Sequence, residues 1–399
     1  MSQGPAELDL EDLGLDEGGH LLVKRALGPL AAGEALHVRG THAELALHLS
    51  TWCRAQGHAF ERAPAPAGSA RALVRRGAAE LGRWRGAERA GSPSQPADVA
   101  PQRWGLAARG AAVEAGAPEF DFRLNQKDEL WSDDLAQLYR QAVASQWDPQ
   151  TALPWDASFE LPVQVEDAVV QVMTYLIENE HAALTVPARF LGQVHPHFRE
   201  VVQLLAIQVA DEARHVEVFT RRALLKRDVP GLSTVGGQAS LRTLLEEPDF
   251  ALAMFLLSVM GEGSFLSLLW FLRDHAPDPL TREIARMTAQ DEARHVAFGL
   301  AHLERHTRRD EGLRPRLASA IRGRNQSLQH TAGLNEEVFD ALVLLSAGSF
   351  APGDLRRGHR SVVELRLEMD RGRRRRLTRL GFPEEEAAEL SALHTRNFM

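Results

Sequence analysis

The stretch VADEARHVEVF occupies residues 209–219, and AQDEARHVAFG occupies 289–299. The hexapeptide D-E-A-R-H-V therefore stands twice, at 211–216 and 291–296. On a helix, residues three apart share a face. Glu212 and His215 then point one way, as do Glu292 and His295. A carboxylate and an imidazole on adjacent turns can chelate a first-row transition metal.

The surroundings decide which face this is. Around Glu212 the same stripe carries Val201, Leu204, Leu205, Val209, Val216 and Phe219; around Glu292 it carries Ile284, Ala285, Thr288, Ala289, Val296 and Leu303. Both pairs lie on stripes that should face a core. A carboxylate there is costly unless paired or metal-bound. A buried ion pair with Arg214 or Arg294 would account for the acids but not for the histidines.

Two Glu-x-x-His helices, with one Glu from each of two further helices, complete a dinuclear iron or manganese site in a four-helix bundle. Two more inward carboxylates are therefore required. Between Phe250 and Trp270 the only charged residue is Glu262. The run 251–272 is long enough to span a bilayer, but that would put Glu262 near the bilayer centre, and no second spanning run exists. Upstream, VVQVMTYLIENEHAAL offers Glu178 and Glu180. Helical steps from Glu180 reach Val169, Met173, Leu176, Ala183 and Leu184. Steps from Glu178 reach Asp167, Gln171, Thr174, His181 and Thr185. Glu180 is the predicted ligand, and the Glu178–His181 pair falls on the wrong face.

Glu180 and Glu212 are 32 residues apart, and Glu262 and Glu292 are 30 apart. Each interval suits one helix, a short connection and the return helix. Four carboxylates and two divalent ions balance in charge, which makes burial tolerable. A ligating histidine usually donates its other N–H to a carboxylate. Asp211 is predicted to reach His295 and Asp291 to reach His215, with Arg214 and Arg294 pairing those aspartates or forming a solvated pair on the outer face.

These residues resemble the ferritin-like di-iron carboxylate superfamily over roughly 121–310. The DEARH form is most similar to its oxygen-activating branch: ribonucleotide reductase small subunits, multicomponent monooxygenases and aminobenzoate-type N-oxygenases. The resemblance implies two iron ions, or iron with manganese, dioxygen as co-substrate, and an electron-donor reductase. The chain also departs from those groups. Phe219 stands where the reductase small subunit keeps a radical tyrosine, Thr288 where the N-oxygenases add a histidine, and Leu266 where the monooxygenases carry a threonine. Ser258 or Ser264 could supply a hydroxyl near Glu262.

The chain has 399 residues, 44% hydrophobic and 25% charged, with net charge −8 and one cysteine. This is globular composition with material for a sizeable core. The charge argues against a general nucleic-acid binder, and a lone Cys53 excludes internal disulfides and points to a reducing, cytoplasmic setting. No signal peptide is read at the N-terminus. The expected fold is mainly α. It comprises a small α+β domain over 1–84, a Gly/Pro/Ser-rich linker over 85–120, the di-metal bundle over 121–310 and a helical extension over 311–399 packing on the bundle.

Within the first domain, HLLVKRAL, ALHVRG and ARALVRRG read as strand-like and AELALHLSTWCRAQG as helical. Residues about 20–80 resemble a TusA/SirA-like sulfur-carrier domain. Its Cys-Pro is missing and Cys53 falls late in the helix, so docking is expected rather than sulfur transfer. Gly261 and Gly263 could leave room for dioxygen and substrate, let Glu262 shift, or allow close helix packing. Phe219, Phe255, Phe265 and Phe298 could wall an apolar pocket or form plain core. RGRRRR (371–376) reads as a solvated or salt-bridged helix face, or as a site for an acidic partner or phosphate.

The function expected is a dioxygen-activating oxidoreductase that hydroxylates or N-oxygenates a small organic substrate. The other readings are a ferroxidase or peroxide-handling protein, and an interaction protein with a structural metal site. Partners expected are the substrate, a reductase and a second copy of the chain; nucleic acid and membrane are not expected.

Overall fold

A computed structural model of the chain describes residues 6–79, 83–329 and 336–394. It divides into two compact units, 1–93 with 107–118, and 94–106 with 119–399. The described residues are mainly helical, with a bundle of four long helices and a small N-terminal sheet unit.

In the first unit, β1 (Ala6–Asp9) runs parallel to β2 (Ala35–Gly40). β2 and β3 (Ala59–Ala63) flank β4 (Ala70–Arg75) antiparallel. Between the strands run α1 (His20–Leu27) and α2 (Leu45–Gln56). Val23, Leu27, Leu45, Leu49 and Cys53 from these helices join Leu36, Val38, Ala72 and Val74 of the sheet in one core. HLLVKRAL, expected as a strand, is thus α1. A short apolar run fits either period, and the buried pair Val23 and Leu27, four apart, settles it as a helix. Cys53 is fully buried, and burial pushes its thiol up to about 11.

The 85–120 stretch, expected as a linker, is divided between both units and has pairing of its own. β5 (Glu88–Arg89) pairs with β6 (Ala112–Val113), and Val99 bridges to Gln126. Its Gly and Pro mark turns rather than looseness.

The second unit holds α3 (Leu135–Ala144) and four long helices: α4 (Val163–Leu191), α5 (Arg199–Ala223), α7 (Phe250–His275) and α8 (Pro279–Thr307). α6 (Val235–Leu245) fills the long connection between the two pairs. α4 packs along α5, and α7 along α8. At 29 residues, α4 and α8 are each roughly 43 Å long. α7 is the one described helix long and apolar enough to cross a membrane, but 83% of its apolar window is buried inside the protein. The extension supplies α9 (Leu313–Leu328), α10 (Glu336–Ala347), α11 (Pro352–Arg379) and α12 (Glu384–His394), with α10 against α4 and α11 against α7. The last five residues of the predicted packing segment ELSALHTRNFM lie outside the described residues.

The helix starts are set locally. Asp249 accepts the Leu252 N–H at 3.0 Å, and Asp278 accepts the Thr281 N–H at 2.7 Å, with Pro279 in the first turn of α8. Asp278 has a second task. Arg222 of α5 is fully buried and donates to Glu166 at 2.6 Å and to Asp278 at 2.9 Å, joining the ends of α4, α5 and α8. Removing one partner of a buried pair leaves a charge uncompensated. Asp278→Ala is expected to lower unfolding free energy by about 3–5 kcal/mol, more than Asp278→Asn, which keeps the cap. Urea unfolding checks this; equal losses in the two variants would contradict it.

Candidate metal centre

The six sequence-predicted donors meet inside the bundle, one or two from each long helix. Glu180 comes from α4, Glu212 and His215 from α5, Glu262 from α7, and Glu292 and His295 from α8. All are at most 5% exposed. They form two overlapping groups: Glu180, Glu212, His215 and Glu292; and Glu212, Glu262, Glu292 and His295. In each group the candidate donor atoms lie within 4.8 Å of one another. Glu212 and Glu292 belong to both groups.

His215 Nδ1 lies 3.0 Å from Glu212, 3.3 Å from Glu292 and 3.6 Å from Glu180. His295 Nδ1 lies 2.9 Å from Glu212 and 3.4 Å from Glu292. The imidazole centroids are 6.4 Å apart. The far nitrogens cross over: His215 Nε2 meets Asp291 at 3.2 Å and His295 Nε2 meets Asp211 at 3.3 Å. Each Asp accepts an Nε2–H, which leaves Nδ1 facing the carboxylates. Arg214 is buried and bonds both aspartates, 2.9 Å from Asp291. Arg294 bonds Asp291 and lies 3.6 Å from Asp211. The arginines therefore grip the aspartates from inside the bundle rather than forming a solvated outer pair.

The donor set fits two metal ions. Among the described residues, Glu212 Oε1, Glu262 Oε2, Glu292 Oε2 and His295 Nδ1 have no partner in hydrogen-bond geometry, although all are buried. The short His295–Glu212 approach is one of charge, off the hydrogen-bond angle. Unsatisfied buried acceptors are expensive. Ligand bonds of about 2.0–2.2 Å around a first-row ion would span the observed separations. Oxygen and imidazole donors suit iron or manganese.

Electrostatics show what neutralises the cluster without metal. Burial, then the charges of Glu212 and Glu292, push the Glu180 carboxyl well above the ordinary range. Burial and then Glu292 do the same to Glu262. Burial alone would lower the histidines. The bonds of His215 to Asp291, Glu180, Glu212 and Glu292, and the charges of Glu212 and Glu292 on His295, outweigh it and raise both. Burial would raise Glu212, but His295 and His215 hold it well below the usual carboxylate range. These shifts favour proton binding where cations would sit.

Several neighbours carry no sequence signal. Gln146 donates to Asp211 at 2.7 Å, and Trp147, from the same loop, donates to Asp291 at 2.7 Å. They lie more than 60 residues from their partners in sequence. Gln208 donates to Glu262 at 3.2 Å; its place one turn before Glu212 could have marked it. Glu178 is half-buried and His181 exposed, both outside the cluster. Ser258 is fully buried one turn before Glu262, whereas Ser264 donates to the Met260 carbonyl. Phe219, Phe255 and Phe298 are fully buried, with Phe219 6.5 Å from His215 between centroids. Thr288 is also fully buried. A further group, Asp16, His42 and His48 in the first unit, is partly exposed.

No family model matches the chain, and no curated protein matches it. The solved structures similar to it include an R2-like ligand-binding oxidase variant with an aerobically reconstituted Mn/Fe cofactor. That likeness has 17% identity over 60% of this chain and 94% of the other, at TM-score 0.41. The R2-like ligand-binding oxidase from Sulfolobus acidocaldarius is 16% identical over 65% and 94%, also at TM-score 0.41.

Two outcomes are expected. In metal-free protein, His215 and His295 have raised pKa values, so their stabilisation is present below the unfolded value near 6.5 and is lost as pH rises through the folded values. Glu180 and Glu262 act in the same sense. The metal-free Tm should therefore fall as pH rises above about 6.5, and divalent ions should flatten the decline. A Tm that rises over that range would contradict the account. Glu212→Ala with His295→Ala should also abolish retention of two metals, while Glu178→Ala with His181→Ala keeps both, as read by elemental analysis.

Proposed function

We propose that the chain is a dioxygen-dependent oxidoreductase holding two iron ions, or iron with manganese, and that it hydroxylates or N-oxygenates a small organic substrate. The observation that carries this is the pair of overlapping donor groups sharing Glu212 and Glu292. Two adjacent redox-active ions, when bound, supply two electrons to dioxygen at one place.

The chain's own residues shape the rest. Asp211 and Asp291 orient the imidazoles, and Arg214 and Arg294 bond those aspartates in turn. Gln208 holds one oxygen of Glu262 and leaves the other unpartnered, so this carboxylate has freedom to move. The Ser258 hydroxyl is a proton donor close to Glu262. Phe219, whose ring centroid is 6.5 Å from that of His215, sets an apolar face beside the donors, which favours an organic substrate over hydrated iron. Trp147 is half-buried and bonded to Asp291, which holds His215. A partner reductase docking near this indole, a cytoplasmic setting and a homodimer are parts of the proposal.

The test is oxygen uptake by anaerobically prepared protein carrying two ferrous ions per chain. Rapid uptake is expected in wild type and loss of uptake in the Glu212→Ala, His295→Ala double variant. Two bound ions with no uptake would overturn the proposal.

A further inference from the structure

The helix that brings Glu262 inward is not regular. From Phe255 to Glu262 it is a π-helix, in which the Gly263 N–H reaches back five residues to Ser258 O. From Gly263 onward α7 is α-helical again. Where pairing changes from five residues back to four, one carbonyl is passed over. Here that carbonyl is Val259. A buried carbonyl left without a donor is costly.

Val259 O does have a donor, from the C-terminal extension. Arg376 of α11, 117 residues away, places its Nε 2.6 Å from that oxygen. The chain makes room for it. A Cβ at Gly263 would lie 2.5 Å from Arg376 Cζ and Nε, so only glycine lets the guanidinium lie against the helix. One turn earlier on α11, a Cβ at Gly372 would lie 3.1 Å from its Nη1. The placement is costly. Burial, then Arg373 and Arg375, push the guanidinium down to about 9, and its Nη2 finds no partner among the described residues. Next to it Arg373 is fully buried, with Nη1 3.3 Å from Ser264 Oγ and Nε 3.1 Å from Ser391 Oγ. The RGRRRR run, expected as a solvated face, therefore sends two arginines inward onto the Glu262 helix. Arg374 and Arg375 remain exposed and pair with Asp370 and Glu368.

We infer that Arg376 is a positioning residue for Glu262: by taking the carbonyl that the register change passes over, it holds the π turn that aims this carboxylate into the cluster. The inference rests on the proposed metal-binding role of Glu262. One residue of helical register is a rotation of roughly 100°, so a helix relaxed to the α register would turn Glu262 away from the other five donors.

The experiment is a cobalt(II) titration of metal-free, full-length protein, followed by visible absorption, with circular dichroism on each variant. Wild type should bind two ions. Arg376→Met and Gly263→Ala should each weaken one of them by about 10–100-fold and change its absorption, leaving the other as in wild type. Arg376→Lys, which still offers an N–H to Val259 O, should restore much of the loss. Arg375→Met should match wild type. If Arg376→Met does not fold, Gly263→Ala, which displaces the guanidinium without removing it, decides the matter. Two wild-type-like ions in either folded variant would overturn the inference. Failure of wild type to bind two ions would instead overturn the metal reading on which it rests.

Discussion

Four carboxylates drawn into one dry place repel one another, and the rest of the bundle is arranged around that repulsion. Isolated ionised carboxylates in such surroundings are not tolerated. Without metal, Glu180, Glu262 and the two imidazoles are all shifted toward holding their protons, which relieves the charge. Two divalent ions would do so better, since they balance the four negative charges and leave the histidines neutral. The aspartate–arginine layer beyond the histidines follows from the same need, because it holds each ring with Nδ1 inward.

The repeated hexapeptide gives this centre an approximate two-fold character. Each copy supplies a Glu to both donor groups, a His to one, and an Asp to the His of the other copy. The two remaining carboxylates break the symmetry. Glu180 stands on an α-helix, and Glu262 stands at the end of a π turn with an unpartnered oxygen. The half of the site with the less regular backbone also has Ser258 and Gln208 beside it, which makes it the half better suited to rearrangement.

Much of this was legible in the sequence, for identifiable reasons. Glu180 rather than Glu178 faces the cluster because Val169, Met173 and Leu176 mark its stripe, and a lone Glu in an otherwise apolar helix singles out Glu262. The crossed Asp–His contacts follow from the repeat. Other features depend on contacts that no local pattern encodes. Gln146 and Trp147 arrive from a loop with no periodicity. The π turn has no composition that distinguishes it from an α-helix. Arginine runs usually lie in solvent, so the inward turn of Arg373 and Arg376 is visible only once α11 is laid against α7. HLLVKRAL, a helix, also reads as a strand because a short apolar run satisfies both periods.

The central claim is that Glu212 and Glu292 are shared between two metal ions. Anomalous diffraction at the iron edge, from crystals of iron-loaded protein, tests it directly. The account expects two peaks about 3.5–4 Å apart, with both carboxylates between them and one imidazole on each. A single peak, or peaks away from these six residues, would contradict it.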